Sequence, residues 1–181
     1  PGAERTHPDI AYGHKEDLYL VTWQQDDGTR STIRGRIVSG TGQPLGSDFA
    51  ISTGPALKDC FLPAIAYADT ANTFLVVWER KVVGALSLDI EGQLISGTGS
   101  PIGTNFIVAQ GTNAFSHSQP AFAYNRRRNE FLVVWQRLEK SAGLYDITSR
   151  RVTGNGVPLN PAAVDLIRVT TSNTRPAVAA I

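Results

Sequence analysis

The sequence predicts an all-β fold of the β-propeller type, with three four-stranded antiparallel blades of about 56 residues plus the first strand of a fourth. A motif of core-type residues, Pro-x-(Ile/Phe)-Ala-Tyr followed by Leu-Val-(Val/Thr)-Trp, occurs three times and begins a fourth time. A second landmark, Pro-(Leu/Ile)-(Gly/Asn), recurs in phase with it. Prolines mark both: Pro8, Pro63, Pro120 and Pro176 for the motif, and Pro44, Pro101 and Pro158 for the landmark. Two landmarks that share a period of 55 to 57 residues indicate structural repeats.

Each period contains four short apolar segments, rich in Val, Ile, Phe, Tyr and Trp and separated by Gly, Asn, Asp and Pro. This composition predicts strands. In the middle repeat we expect strand A at residues 63–68, B at 73–80, C at 86–96 and D at 105–110. Strand B is apolar on both faces, which is typical of a sheet covered on both sides, and stacked propeller blades cover their sheets in this way.

Turn-forming residues connect strand A to strand B, and paired glycines connect C to D. The glycine segments are residues 39–42, 96–99 and 153–156. A phosphate-binding loop would continue into Lys-Ser/Thr and a helix, whereas here a proline and another strand follow. The glycines therefore indicate hairpin turns.

The repeats resemble the Pro-Ala-Val-Ala-Tyr, Leu-Val-Val-Trp and Gly-x-Pro-Leu-Gly repeats of secreted or surface-exposed bacterial β-propeller proteins. The resemblance runs from Pro8 to Ile181, with a departure at Asn160-Pro161 that predicts an irregular third D strand. It implies a secreted or cell-surface location and a binding or scaffolding role. On this basis we expect one domain with an N-terminal extension (1–7), three blades (8–62, 63–119 and 120–175) and a final strand (176–181).

Bulk composition excludes several classes. Seventeen basic and 16 acidic residues give a net charge of +1, so nucleic acid is not an expected partner. No apolar run approaches the ~18 residues of a membrane helix, so membrane insertion is not expected. With one cysteine and three histidines at no ligand-like spacing, neither a disulfide, a metal site nor a cofactor is predicted.

Three blades do not close a ring, because propellers use roughly four to eight. Self-association is therefore expected, first as a homodimer with six blades, and otherwise as part of a longer or multichain ring or as a strand-exchanged filament. The self-association residues are those of the fourth-repeat strand: Pro176, Ala177, Val178, Ala179, Ala180 and Ile181.

The leading functional prediction is a noncatalytic, self-assembling extracellular propeller that serves as a scaffold or adhesion element and is not an enzyme. A propeller lectin that binds glycan is the alternative, and an enzyme with its site at the channel mouth ranks third. The motif tryptophans Trp23, Trp78 and Trp135 are expected to pack between blades rather than to stack on sugars.

The D-to-A and B-to-C loops share one face of a propeller, and their contents differ between repeats, as a single asymmetric site would require. We therefore take the candidate ligand-binding residues from them: Asp26, Asp27, Lys58, Asp59, Cys60, Arg80, Lys81 and His117. No catalytic residue is assigned. A Cys60–His117 catalytic pair is imaginable, but no orienting Asn or Asp is identifiable. Asp26 and Asp27 lack the other ligands of a calcium loop, which favours a solvated hairpin tip.

Overall fold

A computed structural model describes residues 2–54, 58–159 and 163–168 of the chain. Over these residues it contains three antiparallel sheets, each formed by four strands that are consecutive in sequence and adjacent in space. The first sheet contains β1 (Glu4–Gly13), β2 (Leu18–Asp26), β3 (Ser31–Ser39) and β4 (Pro44–Ala50). The second contains β5 (Lys58–Ala68), β6 (Thr73–Val82), β7 (Asp89–Ser96) and β8 (Pro101–Ala109), and the third β9 (Phe115–Asn125), β10 (Glu130–Glu139), β11 (Leu144–Thr153) and β12 (Val164–Ile167).

The sheets stack face to face as propeller blades, and the predicted all-β propeller-type fold is confirmed. Strand β6 carries seven consecutive buried residues, which explains why its sequence is apolar without alternation. No helix among the described residues is long and apolar enough to span a membrane.

Two apolar cores lie between the blades. The first joins blade 1, through residues such as Leu20 and Ile33, to Phe74 and Trp78 of blade 2. The second joins the opposite face of blade 2 to blade 3, where Trp135 is fully buried. Burial of these large side chains is the main stabilising contribution to the blade stack, at about 25 cal/mol per Å² of apolar surface.

The strand bounds of the middle repeat differ from those that the sequence predicted, with strands A, B and D longer and strand C shorter. In the middle repeat, strand A begins at Lys58 and not at residue 63, strand C at Asp89 and not at 86, and strand D is Pro101–Ala109 and not 105–110. Strand A extends upstream of the motif proline because a bulge between Phe61 and Ala64 absorbs the irregularity and pairing with β6 resumes beyond it.

The A-to-B turns are built identically in all three blades. The turn residue before strand B is Asp17, Asn72 or Asn129, each with a φ near +50° that Asp and Asn tolerate better than most residues. The motif tyrosine donates its hydroxyl to that residue's side chain, from Tyr12 at 2.7 Å, Tyr67 at 2.6 Å and Tyr124 at 2.8 Å. The tyrosine hydroxyls therefore stabilise the A-to-B turns.

The third D strand departs from the other two, as the sequence suggested. Strand β12 has only four residues, and its pairing with β11 shifts register between Ile147 and Thr148. Residues 176–181, the predicted self-association strand, lie outside the described residues, so self-association and the predicted domain boundaries stay predictions.

Candidate functional site

A pocket of about 430 Å³ opens where the three innermost strands meet. The same motif position of each repeat supplies its wall, and we call it the channel-mouth pocket. Its lining residues are His7, Pro8 and Asp9 of β1, Leu62 and Pro63 of β5, and Gln119 and Pro120 of β9.

The residue before each motif proline has a left-handed backbone. The φ values of His7, Leu62 and Gln119 are 52°, 50° and 51°, a conformation that is uncommon for residues other than glycine. Strained backbone of this kind persists only where the surrounding structure holds it, and it concentrates at functional sites. Here it forms the bulge that shapes the pocket wall.

Contacts between blades hold this strained backbone. The N–H of Leu62 donates to Gln24 Oε1 of blade 1 at 3.4 Å, and the N–H of Gln119 donates to Glu79 Oε1 of blade 2 at 2.7 Å. Glu79 is 6% exposed, and burial raises the pKa of its carboxyl. It lies behind the wall and not among the lining residues, so its role is to position Gln119.

Asp9 breaks the pseudosymmetry of the wall. The equivalent motif positions are Ala64 and Ala121, so a carboxylate occurs in one repeat and a methyl group in the other two. Asp9 Oδ1 accepts the N–H of Ile10 and Oδ2 accepts the N–H of Ile65 in blade 2, both at 2.9 Å. These bonds fix the carboxylate's orientation and leave further lone pairs for a ligand.

The pocket combines a few polar groups with apolar walls. The imidazole of His7, the carboxylate of Asp9 and the amide of Gln119 can each hydrogen-bond a hydroxyl, while the prolines offer apolar surface. Small-molecule sites typically have this composition. Among the described residues, no group of three or more His, Cys, Asp and Glu side chains is placed to hold a metal ion.

A smaller apolar pocket of about 250 Å³ adjoins the first and shares Pro8 with it. Its other lining residues are Arg5, Thr6 and Trp23. Trp23 is only half-buried, and its indole N–H has no hydrogen-bond partner among the described residues. Core packing, expected for all three motif tryptophans, therefore holds for Trp78 and Trp135, which are 0% exposed, and not for Trp23.

Lys58 and Arg80 do not reach the channel-mouth pocket. Both engage the buried carboxylate of Glu91, Lys58 at 2.8 Å and Arg80 at 3.3 Å. Arg80 also pairs with Asp89 at 2.7 Å, and Trp78 donates its indole N–H to Glu91 at 3.1 Å. The cluster is a satisfied polar network inside blade 2, and its members have few groups left for a ligand.

Three further candidate residues lie away from the pocket. Asp59 accepts the N–H of Ser31 at 3.1 Å across the first blade boundary, and Lys81 is exposed. The Thr29 hydroxyl donates to Asp27, as do the backbone N–H groups of Thr29 and Arg30, and these hydrogen bonds lower the pKa of the Asp27 carboxyl to about 2.

Asp26 forms the other half of that hairpin tip. It accepts the Ser31 hydroxyl at 2.7 Å and the N–H of Gly28 at 2.8 Å, and these bonds lower its pKa. The carboxylates of both aspartates therefore accept hydrogen bonds from within the hairpin turn.

Cys60 and His117 occupy equivalent places in different blade interfaces and not at the channel mouth. Cys60 is 1% exposed in the core between blades 1 and 2, and burial raises the pKa of its thiol to about 11. His117 accepts the indole N–H of Trp135 at 2.9 Å in blade 3. The bulge explains their placement, because it turns side chains three residues before the proline into the blade stack.

The sequence analysis did not select Asp9, His7 or Gln119, because it took its candidates from charged or reactive side chains in the predicted loops. The signal was present inside the motif: the variable position after the proline reads Asp, Ala and Ala in the three copies.

No family model and no curated protein matches the chain. Several solved structures share its fold. An N-acetylgalactosamine deacetylase from F. plautii, in complex with blood group B trisaccharide, superimposes with a TM-score of 0.62 at 13% identity, over 91% of this chain and 52% of that one. An endo-arabinase from Bacteroides thetaiotaomicron gives 0.60 at 16% identity, over 87% and 59%. A GH43 endo-arabinanase from Bacillus licheniformis gives 0.52 at 13%, over 88% and 58%.

These matches contradict the prediction of a noncatalytic scaffold that is not an enzyme, because the three solved structures named above are carbohydrate-active enzymes. At such identities the likeness itself shows the fold alone. The chain spans about half the length of the structures it matches.

Proposed function

We propose that the chain is part of a carbohydrate-active β-propeller enzyme, whose saccharide substrate binds in the channel-mouth pocket with Asp9 as its reacting carboxylate. The observation that carries the proposal is the single carboxylate, Asp9, on a wall where the equivalent residues are Ala64 and Ala121. A functional site needs a chemically distinct group at one position of the repeated fold. Packing alone does not require such a difference between the repeats.

The composition of the pocket suits a sugar. A sugar ring presents hydroxyls at its edge and C–H groups on its faces, so it needs hydrogen-bonding groups beside apolar surface. His7, Asp9 and Gln119 supply the first, and Pro8, Pro63 and Pro120 supply the second. The half-buried Trp23 in the adjoining pocket offers an aromatic surface for a neighbouring sugar unit.

Asp9 is suited to the role of base. Glycoside hydrolysis uses two carboxyl groups, one that donates a proton to the leaving oxygen and one that activates water or attacks the sugar. The backbone bonds from Ile10 and Ile65 orient Asp9 for the second task. The other described residues that line the pocket are not carboxylic acids, so the proton donor would come from a group beyond this lining.

The solved structures of similar fold support this choice of substrate class, because those named above are an N-acetylgalactosamine deacetylase, an endo-arabinase and an endo-arabinanase. Secretion or surface display, predicted from the repeat resemblance, agrees with the proposal, since polymeric glycans lie outside the cell.

The test is a comparison of wild type with Asp9→Asn. Binding of arabino- and galacto-oligosaccharides is measured by calorimetry, and release of reducing ends or acetate is measured in parallel. We expect Asp9→Asn to abolish turnover and to weaken binding about tenfold, as loss of a charge-assisted hydrogen bond does. Asp17→Asn is the matched control, because the equivalent turn residues are already Asn72 and Asn129.

Two outcomes would contradict the proposal. Unchanged binding and turnover in Asp9→Asn would show that the pocket is not the site. Saccharide binding without turnover by the wild-type protein would show a binding module instead of an enzyme.

A further inference from the structure

A further cavity, of about 460 Å³, lies between blades 2 and 3 and shares no described lining residue with the channel-mouth pocket. Cavities of this size accommodate small molecules. Its lining residues are Ile107, Val108 and Ala109 of β8, Gln110, His117 of β9, Arg150 of β11 and Ala163.

The equivalent place between blades 1 and 2 is filled by two amides. Asn105 Nδ2 donates to Gln93 Oε1 at 2.5 Å and to the Ile51 carbonyl at 3.1 Å. Asn105 Oδ1 accepts the N–H of Thr53 at 2.6 Å. Gln93 and Asn105 thus bridge the two blades.

Strand register shows which residues replace Gln93 and Asn105 at the interface between blades 2 and 3. Gly92 pairs with Phe106 in blade 2, and Ser149 pairs with Val164 in blade 3. Arg150 therefore takes the place of Gln93, and Ala163 takes the place of Asn105. A methyl group does not fill the space of an amide side chain, and the cavity opens beside Arg150.

The guanidinium of Arg150 is held by backbone carbonyls. It donates from Nε to the Leu159 carbonyl at 3.0 Å and from Nη1 to the Val108 carbonyl at 2.7 Å. It forms no ion pair with any carboxylate among the described residues, whereas Arg80 and Arg137 both do. Two of its five N–H groups are used, so three remain available to an acceptor.

His117 adds no second charge to this cavity. Its Nδ1 accepts the indole N–H of Trp135, so the proton lies on Nε2, which donates to the Gln110 carbonyl at 3.2 Å. Burial lowers the pKa of this imidazole. Among the described residues that line the cavity, the one localised positive charge therefore belongs to Arg150.

We propose that the cavity between blades 2 and 3 binds a small organic carboxylate, of the size of a uronic acid, through the guanidinium of Arg150. A planar guanidinium with free N–H groups matches the two oxygens of a carboxylate, and partial burial strengthens that pairing. The proposal is independent of the saccharide site and of Asp9.

Binding of galacturonate to the full chain by calorimetry tests the proposal, with galactose as the neutral comparison. We expect galacturonate to bind and galactose to bind at least tenfold more weakly. Arg150→Gln, which installs the residue that blade 2 has at this place, is expected to weaken galacturonate binding about tenfold or more. Arg127→Gln removes the same charge from an exposed turn and is expected to bind as wild type does.

Ala163→Asn supplies a second variant that keeps Arg150. It restores the amide found at the first interface, fills the cavity and is expected to abolish binding, while the unfolding temperature stays at or above that of wild type. This variant decides the matter if Arg150→Gln fails to fold. Equal binding of galactose and galacturonate, retained binding in Arg150→Gln or Ala163→Asn, or equal loss in Arg127→Gln would each overturn the proposal.

Discussion

The backbone N–H of Gln119 donates to Oε1 of Glu79 at 2.7 Å, across the boundary between blades 2 and 3. At the previous boundary, Gln24 accepts the N–H of Leu62 through an amide oxygen. An amide oxygen is therefore enough to accept this hydrogen bond. The carboxyl of Glu79 differs from an amide at this place only in that it can ionise.

Glu79→Gln is predicted to stabilise the protein in a pH-dependent way. Burial raises the folded-state pKa of Glu79 above its ordinary value of 4.5, which means that the fold favours the protonated carboxyl. The stability linked to this group is present below pH 4.5 and is lost as pH rises through the raised pKa. We expect Glu79→Gln to exceed wild type in free energy of unfolding at pH 7 and to match it at pH 4.

Urea unfolding at both pH values measures this difference. Gln136→Glu is the reverse control, since Gln136 is the equivalent residue of blade 3 and is 3% exposed. It should lose stability as pH rises. A Glu79→Gln difference that is the same at pH 4 and pH 7 would refute the explanation.

The blade architecture could be predicted because it depends on composition that repeats. Most motif residues are core residues, so each copy of the motif predicts the same packing between blades. Strand β6, with its seven consecutive buried residues, is the clearest case. The bulge could not be predicted, because the residue before a proline is expected to be extended, whereas Leu62 has a φ of 50°. Contacts with the neighbouring blade impose this conformation, and the residues that make these contacts are distant from Leu62 in the sequence.

The site was less predictable than the fold for the same reason. Cys60 and His117 have reactive side chains, and their sequence positions relative to the motif proline suggested the channel mouth. Only the bulge turns them into the blade interfaces, where Cys60 is 1% exposed and His117 is 6% exposed. Asp9, a single carboxylate, was not among the candidate residues predicted from the sequence, although comparison of the motif copies distinguishes it from Ala64 and Ala121.

Removal of one motif hydroxyl tests the role of the turn. Tyr67→Phe removes the hydrogen bond to Asn72 Oδ1, and we expect a loss of about 1 kcal/mol in the free energy of unfolding. Tyr12→Phe removes the equivalent bond to Asp17 at a more exposed place, so its effect should be smaller. Urea unfolding of both variants is the measurement, and an equal or larger loss in Tyr12→Phe would contradict the dependence on burial.

Cys60 is predicted to be unreactive in the native protein. The thiol is buried, and its pKa is raised to about 11, so little thiolate is present at pH 8 and reagents cannot reach it. We expect a chromogenic disulfide reagent to label Cys60 at pH 8 only after urea unfolding. Cys60→Ala should retain whatever turnover the wild-type chain shows. Rapid labelling of folded protein would disprove this account and would reopen a catalytic role for the thiol.

The Glu91 network predicts strong coupling between two buried charges. The side chain of Glu91 is 4% exposed and that of Lys58 is 11% exposed, so neither charge is well solvated. Glu91→Gln keeps an acceptor for the Trp78 indole but leaves Lys58 without a partner, and breaking a buried pair in this way costs about 3–5 kcal/mol.

The Lys58→Met/Glu91→Gln double variant removes both charges and should recover most of that loss, since Met retains the apolar stem of Lys58 and Arg80 keeps its bond to Asp89. Free energies of unfolding for the two single variants, the double variant and wild type complete the cycle. Additive effects would show that Lys58 and Glu91 do not stabilise one another, and the ion pair would then be incidental to the fold of blade 2.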